Sequence, residues 1–279
     1  MNDPRAPLVV CAGLIGVSLA TDQPALVAAA LVASVLLYRS APVDHGLMLR
    51  LAATSGLLLL VLNPFLAVAG DRVLLSGPGF SLVDFEVTAE ELLWGAVSGM
   101  RLATAIIATS AFLALADPDR LQGLVARIAP RSALTVALSA RLVPALRRDA
   151  ADLREALVLR GTGAESGRRA RARQAAALVE PLVASSLDRG VGIAEAMAAR
   201  GYGGGAFTEL PEDPAPRAVR VALLVGVGLI LLAIALAVGT LPYAIYPQAD
   251  PIATLPALAG AAAVIGAGAA SARMLRGPR

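Results

Sequence analysis

Apolar residues run along this chain in long blocks, with the polar residues gathered between them. The first block is Ala6–Ala20. Thr21-Asp22-Gln23-Pro24 interrupts it, and a second runs from Ala25 to Tyr38. Each falls slightly short of the roughly 17–25 residues of a membrane span, so the pair forms two thin spans or a hairpin that enters partway. A cleaved signal peptide fits poorly, because Arg5 is offset by Asp3 and the apolar pattern resumes at once. Arg39–Arg50 is a short polar loop, and Leu51–Ala69 is the next span, with Asn63-Pro64 inside it. Gly70–Thr88 reads as a loop. Thr88-Ala89-Glu90-Glu91 has the spacing of a capping box and opens a long apolar helix over Leu92–Ala116, broken only by Arg101. Asp117-Pro118 pairs an N-cap residue with a proline at the first helical position.

Residues 117–217 differ in kind, because charges recur every few positions while Leu146, Leu153 and Leu157 keep helical spacing. The pattern predicts several amphipathic helices here, with Pro130, Pro144 and Pro181 dividing or kinking them. Gly203-Gly204-Gly205 and Pro211–Pro216 close the module as an exit. Val219–Leu241 and Ile252–Ala270 are two further spans, joined by Pro242–Asp250. The expected fold is an all-α polytopic membrane protein with five to six transmembrane helices. An N-terminal membrane part (1–116, spans near 6–20, 25–38, 51–69 and 92–116) is followed by a module of amphipathic helices (117–217). A C-terminal membrane part (218–279, spans near 219–241 and 252–270) ends in a basic tail with Arg273, Arg276 and Arg279.

Composition sharpens this. The chain is 57% hydrophobic and 16% charged, against roughly 45–50% and about 25% in soluble domains. All 24 basic residues are arginine. Without lysine there is no phosphate-binding loop of the GxxxxGK[ST] type and no Schiff-base chemistry. His45 and Cys11 are each the sole residue of their type, so a protein-only zinc site and an internal disulfide have too few ligands. His45 reads as a solvated loop residue and Cys11 as a buried small apolar one. Sixteen of the arginines lie between Asp117 and Arg220. They alternate with acidic residues and lack interleaved aromatics, which argues against nucleic acid as a partner. Positive residues favour the cytoplasm. That rule puts the module and both termini on the cytoplasmic side of the membrane and the Gly70–Thr88 and Pro242–Asp250 loops outside.

Within the module one pattern occurs twice, as Glu155-Ala-Leu-Val-Leu-Arg160-Gly161 and as Glu195-Ala-Met-Ala-Ala199-Arg200-Gly201. A glycine just past a helix takes the left-handed conformation and stops it. An arginine in the last turn suits the negative end of the helix dipole. One copy is therefore explained as a helix terminus. Two copies forty residues apart point instead to two equivalent sockets, each arginine a rigid fork for a carboxylate on another protein. Arg101 carries two readings: contact with a partner subunit or an internal carboxylate, Glu90 and Glu91 being nearby, or a snorkelling residue on a tilted helix.

The doubled motif resembles the paired Ala-Arg-Gly signatures of the T component (EcfT/CbiQ family) of energy-coupling factor transporters. Ala199-Arg200-Gly201 matches fully, while the first copy keeps Arg160 and Gly161 with Leu159 in place of alanine. Asn63-Pro64 with Gly70, Thr88 to Leu93 ahead of Arg101, and Arg141-Leu-Val-Pro144 are also similar. The resemblance implies a non-enzymatic scaffold in the lipid bilayer that couples two cytoplasmic ABC-type ATPases to a small membrane S component carrying a vitamin or transition-metal ion. It implies that Arg160 and Arg200 anchor the ATPases, with Gly161 and Gly201 as terminators and Glu155, Glu195 and Arg101 as secondary candidates. No cofactor is then bound by this chain, ATP being used by the partners. An integral membrane enzyme, an ABC permease that binds substrate itself, and another kind of membrane scaffold are the alternatives.

Overall fold

The structure, a computed structural model, describes residues 3–66, 73–76, 86–118, 120–123, 129–160, 167–202, 216–239 and 254–275. Gly70, Gly161, Gly203–Gly205, the Pro242–Asp250 loop, Arg276 and Arg279 lie outside the described residues. The elements in chain order are α1 (Arg5–Ala20), α2 (Pro24–Arg39), α3 (Gly46–Leu66), β1 (Val73–Ser76), β2 (Glu86–Thr88), α4 (Ala89–Leu115), α5 (Pro130–Leu159), α6 (Arg168–Ala199), α7 (Arg217–Ala237) and α8 (Leu255–Leu275). They fall into two compact units: Met1–Leu121 with Pro214–Arg279, and Gln122–Asp213.

The fold is helical and polytopic. Four helices, α3, α4, α7 and α8, have the length and apolarity of a membrane span, and α1 and α2 are shorter apolar helices of 16 residues each. The described β structure is a short antiparallel ladder in the stretch read as a loop, pairing Val73 with Thr88 and Ser76 with Glu86. Its strands are three and four residues long, too short for a period-two pattern to stand out from a Gly- and Asp-containing segment.

The first unit is built around α4. Its start has the expected capping box, in which the Glu91 amide donates to Thr88 Oγ1 at 3.3 Å and the Thr88 amide donates to Glu91 Oε2 at 3.1 Å. Asn63 Nδ2 from α3 donates to the Glu91 carbonyl at 2.9 Å. Two of the stretches that resemble the T component thus meet at one end of the α3–α4 pair.

Small residues set the spacing of the helices. A Cβ on Gly99 would lie 2.5 Å from the Gly56 carbonyl oxygen, so α3 and α4 pack backbone to backbone. Along α1 and α7, Gly226 meets Val10, Leu229 meets Gly13 and Ala233 meets Gly16, so these helices run parallel. Gly260 against Leu26 and Gly268 against Ala33 make α2 and α8 parallel too. Cys11, 3% exposed, faces the backbone of Phe112, and Ser18 faces Arg101, so α1 and α4 are antiparallel. The start of α1, the end of α4, the start of α7 and the end of α8 therefore share one face. The chain leaves this unit and returns to it on that face.

His45 is not a freely solvated loop residue. Its Nε2 lies 2.9 Å from the Tyr38 carbonyl, and its ring sits edge-on to the Tyr38 ring at 4.9 Å. It ties the end of α2 to the start of α3.

In the second unit Pro130 opens a helix as expected, but Pro144 and Pro181 do not divide theirs. Pro130 is at the first position of α5, where its missing amide costs nothing. Pro144 and Pro181 lie inside α5 and α6, which continue through them. A proline removes one ladder bond, and the surrounding Ala, Leu and Arg are strong helix formers that carry the helix past it.

The glycine contacts give a matched test. A Cβ on Gly226 would lie 2.8 Å from the Val10 amide nitrogen, whereas one on Gly228 would meet nothing within 4 Å. Overpacking costs about 1–3 kcal/mol. Gly226→Ala is therefore expected to lower the thermal unfolding midpoint in detergent, and Gly228→Ala to leave it unchanged or raise it. Equal midpoints for the two variants would contradict the α1–α7 packing.

Candidate docking site

The second copy of the motif is a complete helix stop. Arg200 is the C-cap of α6, with φ −88° and ψ 6°. Gly201 follows at φ +74°, its amide donates to the Ala198 carbonyl at 2.9 Å, and the Tyr202 amide reaches back to Met197 at 3.0 Å. These two bonds form a Schellman motif, and its left-handed residue disfavours any side chain larger than glycine's hydrogen. Arg160 caps α5 with nearly the same backbone, φ −80° and ψ 1°, and its amide donates to Ala156 at 3.1 Å as that of Arg200 does to Ala196 at 3.2 Å. Gly161, the expected terminator of this copy, lies outside the described residues.

Glu155, Arg160, Glu195, Ala199 and Arg200 are all exposed. Glutamate and arginine in each copy are five residues apart, about 140° around the helix at 3.6 residues per turn, so they do not form the i,i+4 pair that would hold a side chain down. Among the described residues none of the four charged side chains is ion-paired. Beside Arg160, Leu159 is 82% exposed, an apolar lip next to the guanidinium.

The equivalence of the two helices runs further than the seven-residue motif. Over 141–160 and 181–200 the exposure class is the same at every position except Ala150 and Gly190. Leu142-Val143 and Leu182-Val183 belong to the same repeat. This longer repeat is visible in the sequence but is diluted by fifteen non-identical positions out of twenty in that window, since only Leu142, Val143, Glu155, Ala156 and Arg160 match their counterparts. Asp149 and Arg189, forty residues apart like the motifs, meet across the two helices with Arg189 Nη2 2.9 Å from Asp149 Oδ2.

Arg101 belongs to the other unit and has a different role. It is held by the α1–α2 turn: its Nε donates to the Ser18 carbonyl at 2.9 Å, its Nη2 donates to the Thr21 carbonyl at 2.7 Å and pairs with Asp22, and its guanidinium lies 5.9 Å from the Trp94 ring centre. The described acidic partner is thus Asp22 and not Glu90 or Glu91. Glu91 is engaged in the capping box, and both are buried. An arginine on the last carbonyls of α1 also complements that helix's dipole. Because α1 and α2 are short, their turn reaches the level of Arg101, the middle of the 27-residue α4.

Among the described residues no group of three or more His, Cys, Asp or Glu could hold a metal ion. A groove of about 360 Å³ between α1 and α7 is lined by apolar groups, Ala12, Gly16, Ala233 and Ala237 among them.

A bundle of apolar helices, joined to a unit with two exposed arginine helix ends, defines a polytopic membrane protein. The chain belongs to the CbiQ cobalt transport protein family, whose model matches residues 2–210, from α1 through α6, and it is a membrane component of a transport system. No curated protein matches the chain significantly.

The Arg101 geometry makes a graded prediction. Arg101→Met leaves two carbonyls and the Asp22 carboxylate without their donor, at a cost of up to about 3 kcal/mol. Asp22→Asn keeps both carbonyl bonds and costs about 1 kcal/mol. Thermal unfolding in detergent should rank wild type above Asp22→Asn above Arg101→Met. A larger loss for Asp22→Asn would mean that the carboxylate, not the carbonyls, carries the contact.

Proposed function

We propose that the chain is the transmembrane coupling subunit of an energy-coupling factor importer. Two ABC-type ATPases in the cytoplasm receive the ends of α5 and α6, each in a groove with an acidic residue facing Arg160 or Arg200. Closing and opening of the ATPases on ATP hydrolysis moves these helices, and the motion passes to a small membrane S component that carries the cargo. The cargo is a vitamin or a transition-metal ion, cobalt being the one that the family's description names. Recognition of the cargo belongs to the S component, and the chain itself is not an enzyme and binds no cofactor.

The observation that carries this reading is the pair of exposed arginines on helix ends with matching backbone and matching exposure. Two equivalent ends suit two equivalent partners. Docking of a helix into a groove is a common recognition mode, and an arginine that is free before docking forms a desolvated pair after it. The exposed Leu159 would be covered in the same step. The arginine-rich segment between Asp117 and Arg220 supports placing this face, and with it both termini, in the cytoplasm.

Removing one partner of a buried charge pair at an interface costs about 2–5 kcal/mol, and reversing its charge adds repulsion. Arg160→Glu and Arg200→Glu should each lower the yield of ATPase recovered with the tagged chain from native membranes, and the double variant should recover none while keeping its helical content. Full ATPase recovery by the double variant would refute the assignment.

A further inference from the structure

The two arms of the second unit have equal length and cross at equivalent points. Arg160 lies eleven residues beyond Asp149, and Arg200 lies eleven residues beyond Arg189. At 1.5 Å per residue each arginine stands about 16 Å from the crossing. Among the described residues no other ion pair joins the two helices. The residues flanking the crossing on both, Ala145, Leu146, Ser185 and Ser186, are only half-buried, and of the motif arms only Leu153, Leu157, Ile193 and Met197 are partly covered. In a pair related by a near-twofold, a residue at the axis faces its own counterpart. Like charges there would repel, and here the counterparts are an aspartate and an arginine.

We propose that the Asp149–Arg189 pair is the pin that sets the angle between α5 and α6, and through it the separation of the Arg160 and Arg200 ends. The side chains are 25% and 35% exposed, so the pair is only partly shielded from water. Among the described residues Arg189 Nη1 is buried without a hydrogen-bond partner, and the guanidinium meets Asp149 through Nη2. A contact near the axis fixes where the helices cross and holds the angle between them. Over an arm of about 16 Å, a small rotation at the crossing becomes a change of several ångströms at the arginines.

The consequence for docking rests on the function proposed above, but the pin itself is testable on the isolated chain, so the two ideas fail separately. Spin labels are placed at Val158→Cys and Ala198→Cys, equivalent exposed positions near the two ends, with Cys11 replaced by alanine. Pulsed dipolar spectroscopy then reads the distance between them in the full chain in detergent. The pin predicts one narrow distribution in the parent, a broadened or shifted one in Asp149→Ala and in Arg189→Ala, and a return to the narrow distribution when the charges are exchanged as Asp149→Arg with Arg189→Asp. Far-UV circular dichroism confirms that the helices persist. An unchanged distribution in both alanine variants, or an exchange variant as broad as they are, would overturn the proposal. If the distances behave as expected but the alanine variants recover ATPase as the parent does, the pin stands and its role in docking falls.

Discussion

A helix offers a guanidinium from its last residue, clear of its own surface, only if the backbone leaves the helical path at the next one. At Gly201 it does so, at φ +74°, with the Schellman bonds to Met197 and Ala198 closing the end. Had α6 run on for another turn, Arg200 would lie along the barrel of the helix among neighbours at i±3 and i±4, available to pair with them. Because it stops, the arginine stands at the negative end of the dipole, where a cation is favoured, and faces outward. Arg160 has the same backbone at the end of α5. These two ends, and the crossing at Asp149 and Arg189, are what the proposed docking depends on.

The membrane unit solves a different problem with the same residue type. A charge in the middle of an apolar helix must be answered from within the protein. Arg101 is answered by the carbonyls of Ser18 and Thr21 and by Asp22, all at the α1–α2 turn. The turn's free carbonyls and the helix's buried charge satisfy each other, and α1 and α2 thereby need only reach the middle of α4. Around this contact, glycines at 56, 99, 226 and 268 bring backbones close enough for dispersion and packing to hold the bundle. The hydrophobic effect does not drive such contacts between lipid-facing helices, so close approach has to.

The apolar blocks made the helices legible because lipid imposes one rule, an apolar run of sufficient length, and the chain obeys it. The capping box at Thr88–Glu91 was legible for the same reason: it needs specific residues at fixed spacing. What could not be read was which elements touch. Asp22 is distant from Arg101 in sequence, whereas Glu90 and Glu91 lie close in sequence but are buried, Glu91 within the capping box. Whether a proline divides a helix depends on its neighbours, and the strong helix formers around Pro144 and Pro181 carry α5 and α6 past them, while Pro130 marks a helix start. The β1–β2 ladder is too short to leave a periodic trace. In the second unit, the motif was conspicuous through four fixed identities, while Asp149 and Arg189 were hidden because equivalence of position, not of residue type, is what places them face to face.

The most direct test of the central claim asks what the two helix ends touch in the native membrane. A photo-crosslinking amino acid is placed at Leu159 in one variant and at Ala199 in another, beside Arg160 and Arg200, and the products are identified by mass spectrometry after illumination. The account predicts that both positions capture ABC-type ATPase subunits, through equivalent surfaces if the two are copies of one fold. Capture at neither position, while a control site on the lipid-facing side of α3 still yields products, would contradict it.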